Sequence, residues 1–195
     1  MFQERWAVGI QGGQGSFNEE AAQYYIQRND LNPFDIHYLY TTEQVLKALH
    51  EGRIDRGQFA VHNSTGGMVG ESVDAMANYK FRIVEQFSIK ISHALMIRPD
   101  TRLEQVDSVM AHPQVFKQCK ENLAQKYERL KQVSGTGELI DSANAAKQLA
   151  AGDLSSNHAV MGSKILAELF DLRLVEDNLQ DLKDNYTSFL WVERP

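Results

Sequence analysis

One recurring unit constrains this chain more than anything else. A short apolar run is followed by a turn rich in glycine, serine or threonine, then by a stretch with helical periodicity. Trp6 to Ile10 is such a run. It ends in Gly12-Gly13-Gln14-Gly15, and Ser16 with Glu19 three residues later has the capping-box spacing that opens a helix. Ala21, Ala22, Tyr25 and Ile26 give that helix an apolar stripe. Asp35 to Tyr40 predicts a second strand. Thr41 and Gln44 open a second helix with core positions Val45, Leu46 and Leu49, and Gly52 stops it. Gln58 to Val61 predicts a third strand. The loop Asn63-Ser64-Thr65-Gly66-Gly67 follows, then a helix carrying Val69, Val73 and Met76.

The next segment breaks the rhythm. From Ile83 to Ile97 the odd positions are mostly apolar and the even ones mostly polar or small, a period of two near the length limit of one strand. This is a long or bent strand, or two consecutive strands, crossing between lobes. After Pro99 the unit restarts. Ser108 to Ala111 is a strand, His112-Pro113 a turn, and a helix follows with Phe116, Leu123 and Tyr127 inward. A short strand ends near Val133, and Ser134-Gly135-Thr136-Gly137 is a loop. Asp141 or Ser142 caps a helix with Ala145, Ala146 and Leu149, stopped by Gly152. His158 to Met161 is a strand, Ser163 starts a helix with Ile165, Leu166 and Leu169, and Leu172 to Val175 is a strand. The last strand, Tyr186 to Val192, alternates again.

Strands alternating with helices argue for mostly parallel sheets. Two such sets joined by one crossing segment predict two Rossmann-like α/β lobes with a substrate cleft between them, a periplasmic-binding-protein-like architecture. Residues 1–90, with a return of 180–195, form lobe 1, and residues 91–179 form lobe 2. In parallel sheets helices start at the carboxyl ends of strands, so their N-termini line the ligand crevice. Here these follow Gly15-Ser16, Asn63-Ser64-Thr65, His112-Pro113-Gln114, Ser142 and Gly162-Ser163. Free N–H groups and positive dipole ends at such places suit a small anion.

Composition narrows the function classes. The net charge is −6 with no Lys/Arg block, which argues against a nucleic-acid partner. No apolar run approaches the ~20 residues of a membrane helix, and no secretory leader is visible at the N-terminus. The single cysteine, Cys119, excludes an internal disulfide framework and a Cys-rich metal site, and is expected to be a small buried residue. A cytoplasmic protein is expected. The six histidines make no i, i+4 pair, so no metal site is expected, and His93 is expected to be a satisfied core residue. The glycine-rich turn lacks the Gly-Lys-Ser/Thr ending of a P-loop and is not GxGxxG. By residue pattern alone the chain is an α/β protein with a cleft for a small anion.

The residues at the cleft positions resemble the catalytic domain of the prephenate dehydratase family, in order and over nearly the whole chain. Gly12-Gly13-Gln14-Gly15-Ser16-Phe17 is similar to the family's Gly-Pro-x-Gly-Ser-Phe, and Val61-His62-Asn63-Ser64-Thr65-Gly66-Gly67 to its Ile-Glu-Asn-Ser-x-x-Gly. Ile91-Ser92-His93-Ala94-Leu95 resembles its crossing strand. Ala111-His112-Pro113-Gln114 with Gln118-Cys119, Ser142-Ala143-Asn144-Ala145-Ala146 and Asn185-Tyr186-Thr187-Ser188-Phe189 resemble its later motifs. The resemblance implies two α/β lobes around a cleft and a lyase that removes water and carbon dioxide from prephenate, giving phenylpyruvate, with no cofactor and no metal. It implies Thr187 as the catalytic hydroxyl and Asn63 and Gln118 as amides that orient substrate. The surrounding motif positions, Gly15, Ser16, Phe17, His62, Ser64, Thr65, Gln114, Ser142, Ser188 and Phe189, are expected to bind it.

The departures from the pattern are specific. Ser188 stands where the motif has Arg, His62 where it has Glu, Ala143 where it has Thr and Gly13 where it has Pro. Losing an Arg beside Thr187 would remove a charge-assisted bond of order 1.5–3 kcal/mol if that side chain met a carboxylate. The chain ends at Pro195 with nothing that could form the phenylalanine-binding ACT domain common in the family. Three functions follow from these comparisons. They are a dehydratase acting on prephenate or arogenate, a non-aromatising prephenate decarboxylase of specialised metabolism, and a catalytically weak module that binds a small carboxylate. The expected partner is a small dicarboxylate, with no nucleic acid and no membrane, in a possible homodimer.

Overall fold

The structure is a computed structural model and describes residues 5–31, 33–135, 139 and 141–195. Thr136 and Gly137 of the expected loop lie outside the described residues. The chain divides into two compact units, one of Met1–Lys90 with Tyr186–Pro195 and one of Ile91–Asn185.

The first unit contains β1 (Trp6–Ile10), α1 (Phe17–Arg28), β2 (Phe34–Tyr38), α2 (Thr42–His50), β3 (Arg56–Asn63), β4 (Gly67–Met68), α3 (Gly70–Met76), β5 (Arg82–Lys90) and the C-terminal strand, β11 (Tyr186–Glu193). Its sheet runs β2-β1-β3-β11-β5, with β4 paired to β3 as a hairpin. The helix starts follow from the side chains present. Ser16 Oγ accepts from Glu19 N at 3.3 Å and Thr41 Oγ1 from Gln44 N at 3.2 Å, each satisfying a first-turn donor. Val45, Leu46 and Leu49 of α2 pack with Phe59, Val61, Leu190 and Val192 on one face of the sheet. On the other, Tyr25 of α1 stacks on Trp191, with ring centroids 4.2 Å apart.

The second unit contains β6 (Ala94–Ile97), a short 3-10 turn, β7 (Ser108–Ala111), α4 (Pro113–Gln118), α5 (Lys120–Lys126), β8 (Lys131–Ser134), α6 (Ser142–Ala151), β9 (His158–Gly162), α7 (Ile165–Leu169) and β10 (Arg173–Glu176). Its sheet runs β10-β6-β9-β7-β8. Asp141 caps α6, and Gly152 ends it at φ +85°, a conformation that suits glycine. Cys119 is fully buried, and burial pushes its thiol pKa up to about 12, so it is an inert core residue.

Several expectations are corrected. The sheets are mixed rather than mostly parallel. β1 pairs in parallel with β2 and β3, and β7 with β8 and β9, but β11, β4, β6 and β10 all pair antiparallel to their neighbours. The crossing strands β5 and β6 each lie beside strands of opposite direction, β11 returns between β3 and β5, and β4 folds back on β3 as a hairpin. The crossing segment is two strands in two sheets, and its alternation fails at one end. Ile83 and Val84 are both exposed, because a register shift at Val84 disrupts the pleat of this edge strand. Asp35 to Tyr40 overruns its strand, since Tyr40 turns out of the sheet at φ +60°. The last strand begins at Tyr186, as expected, and the first unit takes up the chain again there. Leu179 N donates to His93 O, Asp181 N to Gln118 O and Asn185 Nδ2 to Gln118 Oε1, and these bonds hold the intervening segment in the second unit. The helix after His112 breaks at Cys119 into two short helices, and Ile165 and Leu169 of α7 are exposed.

Candidate active site

The residues singled out in the sequence fall into two groups, one in each unit. In the first unit, β3 and β11 run side by side and antiparallel, with Thr187 directly opposite Asn63. Directly opposed residues project to the same face. The Asn63 side chain is buried, and its Nδ2 donates to Thr187 Oγ1 at 2.9 Å and to Tyr186 O at 3.2 Å. Its Oδ1 accepts from Thr65 N at 2.9 Å and Gly66 N at 2.7 Å, closing an Asx turn. Ser64 completes the clasp. Its N–H donates to Tyr186 O at 2.8 Å, and its hydroxyl accepts from Tyr186 N at 2.9 Å.

Asn63 is therefore an internal strut and not a free amide. Its amide nitrogen and oxygen both bond to protein groups, and one of those bonds reaches Thr187. Because the Thr187 oxygen accepts from Asn63, its own O–H proton is directed elsewhere, toward any acceptor placed against it. The loop from Asn63 to Thr65 does not open a helix, as the sequence suggested. It closes the β3–β4 hairpin, and α3 starts only at Gly70, after the cap residue Val69.

Ser188 and His62 face the other way. They oppose one another across β11 and β3, and Ser188 Oγ lies 2.9 Å from Ser88 Oγ on β5. Neighbours along a strand alternate faces, so neither shares the face of Thr187. Phe189 is fully buried against Phe87, with ring centroids 5.9 Å apart. The glycine-rich turn forms a second cluster. Gly12 and Gly15 have φ of +83° and +81°. A Cβ at Gly12 would lie 2.9 Å from Ser16 Oγ, so the turn and its cap need glycine there. The Gly15 N–H bonds to the Glu19 carboxylate at 2.5 Å, so this donor is already committed inside the first turn. Phe17 is the first residue of α1 and is half-buried.

In the second unit, Gln118 at the end of α4 is held from within. Its Oε1 lies 2.7 Å from Asn185 Nδ2 and 2.6 Å from His93 Nε2. The amide of Asn185 donates, so the Gln118 atom is an oxygen and His93 must carry its proton on Nε2. Burial pushes the His93 pKa down to about 4, so the ring is a neutral donor at ordinary pH. With its oxygen fixed by two donors, Gln118 has an NH2 group with no partner among the described residues. Gln114 N donates to His112 Nδ1 at 3.1 Å in the first turn of α4. Ser142 opens α6, where Gly162 makes room for it: a Cβ at Gly162 would lie 3.1 Å from Ser142 Cβ.

Sequence reasoning did not find His93 and Asn185 as partners of Gln118. Asn185 heads the final motif and His93 sits in the crossing strand, but only the fold brings residues this far apart in the chain together. Gln11, discussed below, was likewise passed over, because it stands just before the glycine turn and belongs to no motif. No group of three or more His, Cys, Asp or Glu side chains placed to hold a metal occurs among the described residues. No helix among them is long and apolar enough to cross a membrane.

The chain matches the family profile described as prephenate dehydratase over residues 8–195. Arogenate dehydratase/prephenate dehydratase 2, chloroplastic, of Arabidopsis thaliana is 28% identical over 190 residues, covering 97% of this chain and 47% of that protein. The bifunctional chorismate mutase/prephenate dehydratase of Enterobacter agglomerans is 26% identical over 187 residues, covering 96% of this chain and 46% of that protein. The chain thus spans about half the length of the curated relatives it matches. The solved structure of the prephenate dehydratase of Arthrobacter aurescens in complex with L-Phe is similar, with a TM-score of 0.83 at 22% identity. It covers 97% of this chain and 60% of that one, and at that identity the likeness speaks to fold alone.

Proposed function

We propose that this chain, which belongs to the prephenate dehydratase family, is a lyase that converts prephenate to phenylpyruvate with loss of water and carbon dioxide. Arogenate, the amino-acid counterpart named for some of its relatives, is the second substrate to test. One observation carries the reading. The hydroxyl oxygen of Thr187 accepts from Asn63, so its proton is not used in that bond and can be donated to a leaving group.

The chemistry on this reading is as follows. The Thr187 O–H donates to the ring hydroxyl of prephenate, which departs as water. The bond from the ring to its carboxylate breaks, the carboxylate leaves as carbon dioxide, and that electron pair completes the aromatic ring. Overall one proton is consumed and comes from solvent through Thr187, which ends unchanged. Asn63 acts through Thr187 as a positioning residue. The Gln118 NH2 is the proposed donor to a substrate carboxylate or carbonyl, an interaction that adds no titrating group. A cytoplasmic setting is the compartment, and a homodimer the assembly, to test.

The experiment is to incubate the purified chain with prephenate and identify the product by mass and ultraviolet spectrum. Phenylpyruvate is expected. A dihydro-hydroxyphenylpyruvate, with the ring hydroxyl retained, would replace this reading with decarboxylation, and unchanged substrate that nevertheless binds would replace it with a carboxylate-binding module.

A further inference from the structure

The facing of Asn63 and Thr187 depends on a single extra residue. From Val192 opposite Gly57 to Phe189 opposite Ala60, β11 and β3 pair one for one. Continued without a break, that register would set Ser188 against Val61 and Thr187 against His62. Asn63 would then oppose Tyr186, and its side chain would leave the face of Thr187. Instead the register shifts after Phe189, Val61 is the extra residue of a bulge, and Asn63 arrives opposite Thr187.

Ala60, the residue before the bulge, still pairs with Phe189, and beyond the end of β1 two side chains take up its main-chain N–H and C=O. Gln11, just past the end of β1, accepts from Ala60 N through Oε1 at 3.0 Å. Ser72 of α3 donates to Ala60 O at 2.6 Å. The two are joined behind the bulge. Gln11 Nε2 donates to Glu71 Oε2 at 2.7 Å, Glu71 Oε1 accepts from Thr42 N at 2.6 Å, and Thr42 Oγ1 lies 2.7 Å from Ser72 Oγ. Thr42 and Ser72 are fully buried. Both main-chain groups of Ala60 are thus gripped by a network reaching to the start of α2.

We infer that Gln11, backed by Glu71, is a positioning residue for the reaction: it clamps the bulge at Ala60–Val61 and so holds Asn63 in register with Thr187. The inference rests on the dehydratase reading for its kinetic consequence but not for its structural one. Gln11 touches neither Thr187 nor Asn63. It acts through two residues of main chain, which is why a motif search passes over it.

The test uses the whole chain with three variants, read by kinetics on prephenate and by the NMR resonances of the Asn63 side-chain NH2. Gln11→Leu removes the acceptor for Ala60 N. It is expected to lower kcat at least about tenfold with KM nearly unchanged, and to shift the Asn63 resonances, because transition-state alignment is lost while binding groups remain. Gln11→Glu alone sets two carboxylates against each other and is expected to do the same. Gln11→Glu with Glu71→Gln reverses the donor and acceptor, restores both bonds, and is expected to recover kcat and the wild-type resonances. This rescue also stands in for Gln11→Leu if that variant fails to fold. Wild-type kcat and unmoved Asn63 resonances in both Gln11→Leu and Gln11→Glu would overturn the inference, as would failure of the exchanged pair to recover either. If the wild-type chain does not turn over prephenate, the dehydratase reading fails by itself. The clamp is then judged on the Asn63 resonances, whose movement in Gln11→Glu and return in the exchanged pair would support it and whose constancy would overturn it.

Discussion

Asn63 and Thr187 are separated by 124 positions in the chain, yet they lie directly opposite on adjacent antiparallel strands, joined by a 2.9 Å bond from the amide to the hydroxyl. The direction of that bond matters most. Asn63 donates a hydrogen bond to the threonine oxygen, so the threonine O–H is left to donate to another acceptor.

Reversing the polarity of this contact tests it. Asn63→Asp keeps an oxygen to accept from Thr65 N and Gly66 N, so the turn survives. The second carboxylate oxygen then takes the Thr187 proton instead of supporting its donation. The expected result is a fall in kcat of about 10²-fold or more, the lower range for a lost general acid, with thermal stability lowered because the bond to Tyr186 O is also lost. Undiminished kcat in a folded Asn63→Asp would show that the orientation of Thr187 is irrelevant to the rate.

Gln118 provides a matching test in the second unit. In Gln118→Glu one oxygen still accepts from His93 and Asn185, but the NH2 proposed to donate to substrate becomes a carboxylate oxygen. Substrate affinity is expected to fall, with KM rising about tenfold or more, the equivalent of ~1.4 kcal/mol of lost or reversed polar contact. Titration of the variant against prephenate by initial rates measures this. An unchanged KM would place Gln118 away from the substrate.

His93 sets an acid limit on stability. Its pKa is lowered from 6.5 to about 4 in the folded chain, chiefly by burial. Between those values the unfolded chain binds a proton that the folded chain does not, so stability falls as the pH drops through this window. The fall from this one group is at most about 1.4 kcal/mol per pH unit. His93→Gln keeps a donor for Gln118 Oε1 and removes the titration. Its melting temperature is expected to decline less steeply than wild type between pH 6.5 and 4.5, while the two respond alike above pH 7. Parallel curves throughout would mean that His93 is not held neutral by burial.

Ser188 is where the chain departs most visibly from its family's pattern, and the sheet assigns it a modest part. Its side chain points toward Ser88 and His62, on the face opposite Thr187. Ser188→Arg is therefore expected to leave the product as phenylpyruvate and to move kcat by less than about threefold, or ~0.6 kcal/mol. A change of product in that variant would show that residue 188 reaches the reacting atoms despite its place in the pleat.

What the sequence revealed and what it hid divide by range. Ser16, Thr41, Asp141 and Gly152 cap helices through bonds to residues two to four positions away, and such signals are legible in a short window. The period-two segment correctly announced that the chain crosses between two sheets, although it gave no sign of the shift at Val84. The candidate site residues came from motif order, and the structure then separated their places in the fold. Asn63 became a strut, Phe189 became core, and Ser188 and His62 fell on the far face. None of this was visible locally, because strand direction, the bulge at Val61 and the pairing of Gln118 with His93 and Asn185 all depend on partners distant in sequence. Nothing in Ala60-Val61 itself signals a bulge. The side chains that bond to the main chain of Ala60, Gln11 and Ser72, come from other elements.

The most direct test of the account is Thr187→Val, which preserves shape while removing the proton donor. Wild-type and variant chains should be compared on prephenate by single-turnover kinetics, with the product identified by mass. The account expects wild type to form phenylpyruvate, and Thr187→Val to form it about 10²–10⁴-fold more slowly with little change in substrate binding. A folded Thr187→Val that makes phenylpyruvate at close to the wild-type rate would contradict it.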